Sequence, residues 1–290
     1  MARRGRVAHV CGDLYKPFHP DYDRLLAEDD RTAGAYTRLD TRQWHAEAEA
    51  YVRDRCCHAL VETSLADPDK FATTADRFRA SGYRVEVAAL AVPAALSRLG
   101  IAHRYMRQAD VDGHGRYVAR SNHDHCYAGM VETAARVDQD GGADTVFAFR
   151  RGNHPVFQNH RSASGAWSGP QGFADAIEAE RVREWTQLES LNFCHGLNRV
   201  AQILGLEWTS ELADIAEQAR PLCDPAMPLD EAVAGRAEGA YLVAAAESAR
   251  LREARLVPAV SVPTELGTGE RSVRSRPGGH LSDRSRTSHS

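Results

Sequence analysis

Two acids and two arginines stand where this chain could do chemistry. Asp13 follows the short apolar run Val7-Ala8-His9-Val10-Cys11, and Glu62 follows Ala59-Leu60-Val61. Open α/β sheets present their ligands at the carboxyl ends of strands. A carboxylate there could accept a proton from a substrate hydroxyl during phosphoryl transfer. Asp13 also suits a turn or a helix N-cap. Glu62 must be paired or lie at a cleft, because burying it alone is expensive, and exposure at the sheet edge is its plain alternative. The planar forks of Arg104 and Arg116 could clamp phosphates, although an arginine on a helix is commonly just a surface residue.

A phosphate cradle of the usual kind is missing from the sequence. The pattern G-x-x-x-x-G-K-[ST] wraps backbone N–H groups around phosphates and adds a lysine. The only lysines are Lys16, followed by Pro17, and Lys70, followed by Phe71. Substrate-side chemistry is present and the nucleotide loop is not.

Composition narrows the classes. An apolar fraction of 43% and a charged fraction of 26% are those of a globular chain. Net charge −4 and pI near 6.4 give no reason to expect a nucleic-acid partner. Six cysteines, at 11, 56, 57, 126, 194 and 223, lack CxxC spacing and suit free thiols in a reducing compartment. No apolar run is long enough to span a bilayer and the N-terminus has no apolar signal region, so the expectation is a cytoplasmic protein without membrane contact.

Strand and helix signals alternate up to about residue 150. Val7 to Val10 reads as a strand and Asp21 to Arg31 as a helix. The next helix starts at Thr41, with Trp44, Ala48, Tyr51 and Val52 on its apolar face, and the strand Ala59 to Val61 follows. Asp67 and Pro68 open a helix that Gly82 closes, with Phe71, Ala75 and Phe78 as its buried stripe. Tyr83 to Val92 reads as a strand covered on both faces. Pro93 to Gln108 and Asn122 to Asp138 are helical, with a glycine-rich turn at Asp112 to Gly115 between them. Thr145 to Phe149 is the last strand of the alternation, and a small hairpin passes through Pro155-Val156-Phe157. Such alternation implies a mostly parallel sheet with right-handed crossovers. Beyond the Ser/Gly-rich loop 161–172, helices are expected over 173–205, 210–220 and 229–257. The low-complexity tail beyond Pro258 is expected to be disordered. His114, His123, His125 and Cys126 match no zinc-finger spacing. Cys56 and Cys57 suggest buried, inert thiols.

In combination these segments carry a resemblance. Cys11-Gly12-Asp13-Leu14-Tyr15-Lys16-Pro17-Phe18-His19-Pro20, then Leu60-Val61-Glu62-Thr63-Ser64, Ala80-Ser81-Gly82-Tyr83, Ser97-Arg98-Leu99-Gly100 with Arg104-Tyr105, and Gly115-Arg116-Tyr117-Val118 with His123-Asp124 resemble the zeta toxin family in order and spacing. The resemblance implies an α/β, P-loop-kinase-like parallel sheet flanked by helices. Residues 1–160 would be the kinase core without its first strand and Walker loop, 161–257 a helical C-terminal extension, and 258–290 the disordered tail. It also implies ATP- and Mg²⁺-dependent phosphorylation of a UDP-activated amino sugar, UDP-N-acetylglucosamine, at its 3′-hydroxyl. Asp13 would be the base, Lys16, His19, Glu62 and Ser64 would bind substrate, and Arg104 and Arg116 would hold the ATP phosphates. A small antitoxin protein would be the partner. In the family the first strand and Walker loop precede the aspartate, whereas only a dozen residues precede Asp13. The expectation is therefore a frame that opens upstream or a truncated gene, and a chain inactive as written. The alternatives are a non-catalytic remnant that still binds a sugar nucleotide or a protein, and a kinase for some other small-molecule hydroxyl.

Overall fold

β1 (Ala8–Cys11) leads directly into the single turn α1 (Gly12–Tyr15) and a 3₁₀ turn at Lys16–Phe18. The structure, a computed structural model, describes residues 7–235. Two short helices follow, α2 (Tyr22–Glu28) and α3 (Ala33–Tyr36), closed on each other by buried Tyr22, Leu26 and Ala33. The longer α4 (Arg38–Asp54) returns the chain to β2 (Ala59–Glu62), which runs parallel to β1 with Ala8 opposite Ala59 and Cys11 opposite Glu62. Tyr51, expected on the buried face of α4, is 59% exposed. Its ring lies under the Arg55 guanidinium, 4.9 Å away, while Thr41, Glu49 and Val52 turn inward. Cys56 is likewise exposed and Cys57 only half-buried, against the expectation of two buried thiols.

α5 (Pro68–Ala80) has the ends its sequence announces: the Asp67 side chain accepts the Lys70 N–H at 3.0 Å, and Gly82 follows the last turn at φ +82°. Val10, Val52 and Phe78 join β1, α4 and α5 in one small cluster. β3 (Glu86–Leu90) then alternates rather than being covered on both faces. Val87 and Ala89 are buried, whereas Glu86, Ala88 and Leu90 are exposed. After α6 (Ala94–Asp112) and α7 (Arg120–Asp140), β4 (Thr145–Arg150) pairs parallel to β3, and β5 (His154–His160) pairs antiparallel to β4 with an irregularity between Ala148 and Phe149. Helix α7 and the following α8 (Phe173–Val182) pack on the Val87–Ala89 face through Ala134, Val137, Phe173 and Ile177. That one-sided cover explains the alternation.

The strands thus form two ladders, β1–β2 and β3–β4–β5, and β2 is not hydrogen-bonded to β3. Val85, just ahead of β3, packs against the cores of both. One edge of β2 and one of β3 are therefore unpaired within the described residues. Leu60 and Leu90, apolar side chains on these two strands, are 55% and 54% exposed.

The helix expected over 173–205 is broken. Trp185 turns into the core and donates its backbone N–H to Leu222 O, and Thr186 with Glu189 forms a capping box that starts α9 (Gln187–Ile203) afresh. After a 3₁₀ turn at Leu206–Trp208 come α10 (Thr209–Ala219) and α11 (Leu229–Val233). α9 and α10 bury Phe193, Leu197, Leu212 and Ile215 against Leu99, Ala102 and Met106 of α6, and Ala232 of α11 closes the same core over α9 and α10. The helix expected over 229–257 stops instead at Val233, ahead of Gly235 at φ +69°; the rest of that span and the expected disordered tail lie outside the described residues. No described helix is long and apolar enough to cross a membrane.

Helix α7 also clamps the segment that leaves β2. Thr133 Oγ1 donates to Leu65 O at 2.6 Å, and a Cβ on Gly129 would lie 2.1 Å from Ala66 O. Replacing a helical glycine by alanine ordinarily gains about 1 kcal/mol. Overpacking against backbone costs about 1–3 kcal/mol, and backbone yields less readily than a side chain. Gly129→Ala is therefore expected to lower the thermal midpoint in a circular-dichroism melt. A raised midpoint would show that α7 does not press on Ala66.

Candidate active site

Asp13 stands just beyond the carboxyl end of β1, in the first turn of α1. Its Oδ1 pairs with Lys16 Nζ at 3.3 Å and with Arg116 Nη1 at closer range. Burial disfavours the ionised carboxyl, but hydrogen bonding and charge from Arg116, then Lys16, outweigh it and hold the pKa below the ordinary 3.8. Burial, followed by repulsion from Arg116, lowers the pKa of both Lys16 and Arg104. Two cations thus hold the one carboxylate while the charge of Arg104 acts on the same group, and the cluster carries surplus positive charge. The Nε atoms of Arg104 and Arg116 are buried without a hydrogen-bond partner among the described residues. Arg104 also borders an open groove of about 340 Å³ along α6, lined with His103, Arg107 and Gln108.

Arg116 is anchored through its backbone. Its N–H donates to Gln108 Oε1 at 2.9 Å, and the Gly115 N–H donates to Asp30 Oδ2 at 3.1 Å. The same Asp30 oxygen accepts the Tyr105 hydroxyl at 2.8 Å, and burial together with this bond pushes the Tyr105 pKa up to about 12. Gly115 is needed for close approach, since a Cβ there would sit 2.6 Å from Tyr105 O. Tyr105 packs tilted and Tyr117 edge-on against Trp208, and the Arg31 guanidinium lies over the Tyr117 and Trp208 rings. Asp30, Tyr105, Gln108 and Trp208 were not singled out from sequence. Tyr105 and Gln108 share α6, but Asp30 and Trp208 come from distant segments with no local pattern; only the glycine ahead of Arg116 hinted at a tight approach.

The other expected site residues are placed differently. Glu62, opposite Cys11, accepts from Cys11 Sγ at 3.2 Å and bonds His9 Nε2 at 2.8 Å, and these two contacts hold its pKa low. His19 faces away to Asp40, Nε2 to Oδ2 2.9 Å, while its Nδ1 accepts the Asp21 N–H, so in the neutral ring the proton is on Nε2. Ser64 is exposed in the loop between β2 and α5. His123, near the cysteine of the possible zinc group, is bonded instead to Ser97 Oγ at 3.1 Å and Asp124 Oδ1 at 2.9 Å. The fold therefore gathers Asp13, Lys16, Arg104 and Arg116, sets Glu62 on the neighbouring strand, and ties His19 to α4.

Because the Asp13 pKa is lowered, its contribution to stability is complete above the ordinary carboxylate pKa and is lost as pH falls through the folded-state value. Arg116→Ala is expected to raise the Asp13 pKa, read as the ¹³C shift of its carboxyl carbon during titration, and to shrink that loss. An unmoved titration would mean that the pair does not persist in solution.

Comparison with known proteins supplies a lineage for this arrangement. A family model described as zeta toxin matches residues 1–162. The toxin PezT of Streptococcus pneumoniae serotype 4 (strain ATCC BAA-334 / TIGR4) is 21% identical over 202 residues, covering 69% of this chain and 77% of PezT. A structure solved in a study of the PezAT chromosomal toxin–antitoxin system of the same bacterium aligns with a TM-score of 0.55 at 18% identity, covering 68% of this chain and 75% of that one. That structural likeness speaks for the fold. With more than half its length matched, the chain belongs to the zeta toxin family, a family of kinase-type toxins.

Proposed function

We propose that this chain provides the substrate side of an ATP-dependent kinase acting on a hydroxyl of a UDP-activated amino sugar, UDP-N-acetylglucosamine, with Asp13 as the base. The observation that carries the proposal is the cluster of Lys16, Arg104 and Arg116 at a single carboxylate, with two guanidinium Nε donors left over. Surplus positive charge and buried, unpartnered donors fit the anionic oxygens of phosphates. Arg104, Arg116 and Lys16 would hold them, and ATP when bound supplies the phosphoryl group to be transferred.

Asp13 as it stands is a weak base, because Arg116 and Lys16 hold its oxygen. Arg116 turning toward a phosphate would give up that contact. The Asp13 pKa would then rise toward its ordinary value and a lone pair would be free for the sugar hydroxyl. Arg116 would at the same moment neutralise charge on the transferring group. Glu62, one strand over, would accept hydrogen bonds from the sugar. The groups gathered at Asp13 do not suit Mg²⁺, because its carboxylate is already shared by two cations. No step is therefore assigned to a magnesium ion held by these residues.

The 290 residues contain no G-x-x-x-x-G-K-[ST] sequence. The polypeptide is thus expected to bind the sugar nucleotide while transferring phosphate near background. A second possibility, a binding protein without turnover, rests on the same surplus charge, which serves a UDP diphosphate as well as ATP. A small antitoxin covering the cationic cluster is the proposed partner, by analogy with the toxin–antitoxin system of the structural relative.

Isothermal titration with UDP-N-acetylglucosamine tests binding by the chain as it is, and absence of heat would remove the sugar nucleotide. In a longer polypeptide with a Walker loop ahead of residue 7, mass spectrometry should detect the phosphorylated sugar. There Asp13→Asn should reduce turnover by about a hundredfold or more with little change in binding. Arg116→Lys should also slow turnover markedly, because it keeps the charge and loses the fork. Full turnover by the Asn variant removes Asp13 from the mechanism.

A further inference from the structure

We propose that His9, Cys11 and Glu62 form a binding site for a thiophilic divalent cation of the zinc class. The pairing of β1 with β2 builds it. His9 and Cys11 are two apart on β1 and share a face, and the parallel register sets Glu62 opposite Cys11. Their donor atoms, an imidazole nitrogen, a sulfur and a carboxylate oxygen, lie within 4.8 Å of one another. His9 Nε2 is 2.8 Å from Glu62 Oε1, and Cys11 Sγ is 3.2 Å from Glu62 Oε2. Zinc bonds of about 2.0–2.3 Å in a tetrahedron put neighbouring ligand atoms roughly 3.3–3.8 Å apart. The three groups need only sub-ångström to ångström adjustments, on two paired strands that hold their Cα atoms fixed.

The surroundings give an ion both access and ligands. Without metal, burial and the Glu62 contact push the Cys11 pKa up, and the backbone N–H groups of Asp13 and Leu14 at its sulfur only partly oppose this. The Cys11 thiol now donates to Glu62 Oε2 across the gap that a cation would occupy. On binding, the S–H bond breaks, the proton leaves to water, and an S–metal bond forms without redox change. Cys11 is buried, while the side chains of His9 and Glu62 are 42% and 55% exposed, which gives the ion access and leaves a fourth position to water. A sulfur and an imidazole among the three ligands select zinc-like ions over Mg²⁺ or Ca²⁺. The site needs nothing from the kinase proposal. A metal there would engage the Glu62 oxygens and withdraw them from any sugar.

The test is a cobalt titration of the full chain, metal-free and reduced, with exposed Cys56 and half-buried Cys57 replaced by serine as the reference protein. A thiolate-to-cobalt charge-transfer band should grow to one equivalent and be displaced by zinc. Cys11→Ser should abolish it. Because Cys11 is buried, the decisive variants are His9→Ala and Glu62→Gln at accessible positions. Each should weaken cobalt binding by about tenfold or more while leaving the circular-dichroism spectrum unchanged. Absence of a thiolate band in the reference protein, or undiminished affinity in both of these variants, would overturn the site. Neither outcome depends on sugar binding or on turnover.

Discussion

The Asp13–Arg116 ion pair joins two parts of the chain that no sheet hydrogen bond connects. One partner leaves the end of β1, the other leaves the turn after α6, and each is held by its own framework. On the β1 side the framework is the Val10–Val52–Phe78 cluster. On the arginine side it is larger. Helix α6 carries Arg104, Tyr105 and Gln108, and its apolar face packs against α9 and α10, which α11 backs. The helices after the sheet therefore act as a buttress: they fix the helix that presents the guanidinium groups. A helical segment with no chemistry of its own thereby determines where charge lies in the site.

Much of the first half could be read from the chain because its signals are local. The helix from Pro68 has its cap, its proline and its terminal glycine within fifteen residues, and β1 and β2 are short apolar runs followed by acids. Local signals also placed Asp13 and Arg116, since both follow obvious breaks in pattern. What was illegible is tertiary. Exposure of alternate residues in β3 depends on which faces neighbouring helices cover, and no window of sequence records that. The break at Trp185 is a tryptophan drawn into a distant core, visible beforehand only as Thr186 and Glu189 at capping-box spacing. His19 is expected at the substrate only through the family resemblance, yet Asp40, twenty-one residues on, takes its ring. Asp30 lies in a run of charged residues indistinguishable from a solvated loop until Tyr105 and Gly115 are brought to it.

Outside the site the chain uses arginine in another way. Arg98 is almost fully buried and pairs with Glu211, Arg150 and Arg183 share Glu180, and Arg181 lies 3.5 Å from the centre of the Tyr127 ring. Such buried pairs contribute little net stability after desolvation, but removing one member leaves an expensive unmatched charge. They fix which helix faces which strand, whereas the apolar clusters supply most of the cohesive energy.

The open flanks of β2 and β3 have a consequence for how the polypeptide behaves in bulk. A strand flank that has no strand partner among the described residues, beside exposed leucines, is a template for any extended chain that meets it, including another copy of the same molecule. Neither β2, Ala-Leu-Val-Glu, nor β3, Glu-Val-Ala-Ala-Leu, has a proline or a lysine to discourage such pairing. Crowded, freshly synthesised molecules would thus tend to stick flank to flank, and colloidal behaviour would depend on concentration more steeply than a net charge of −4 suggests.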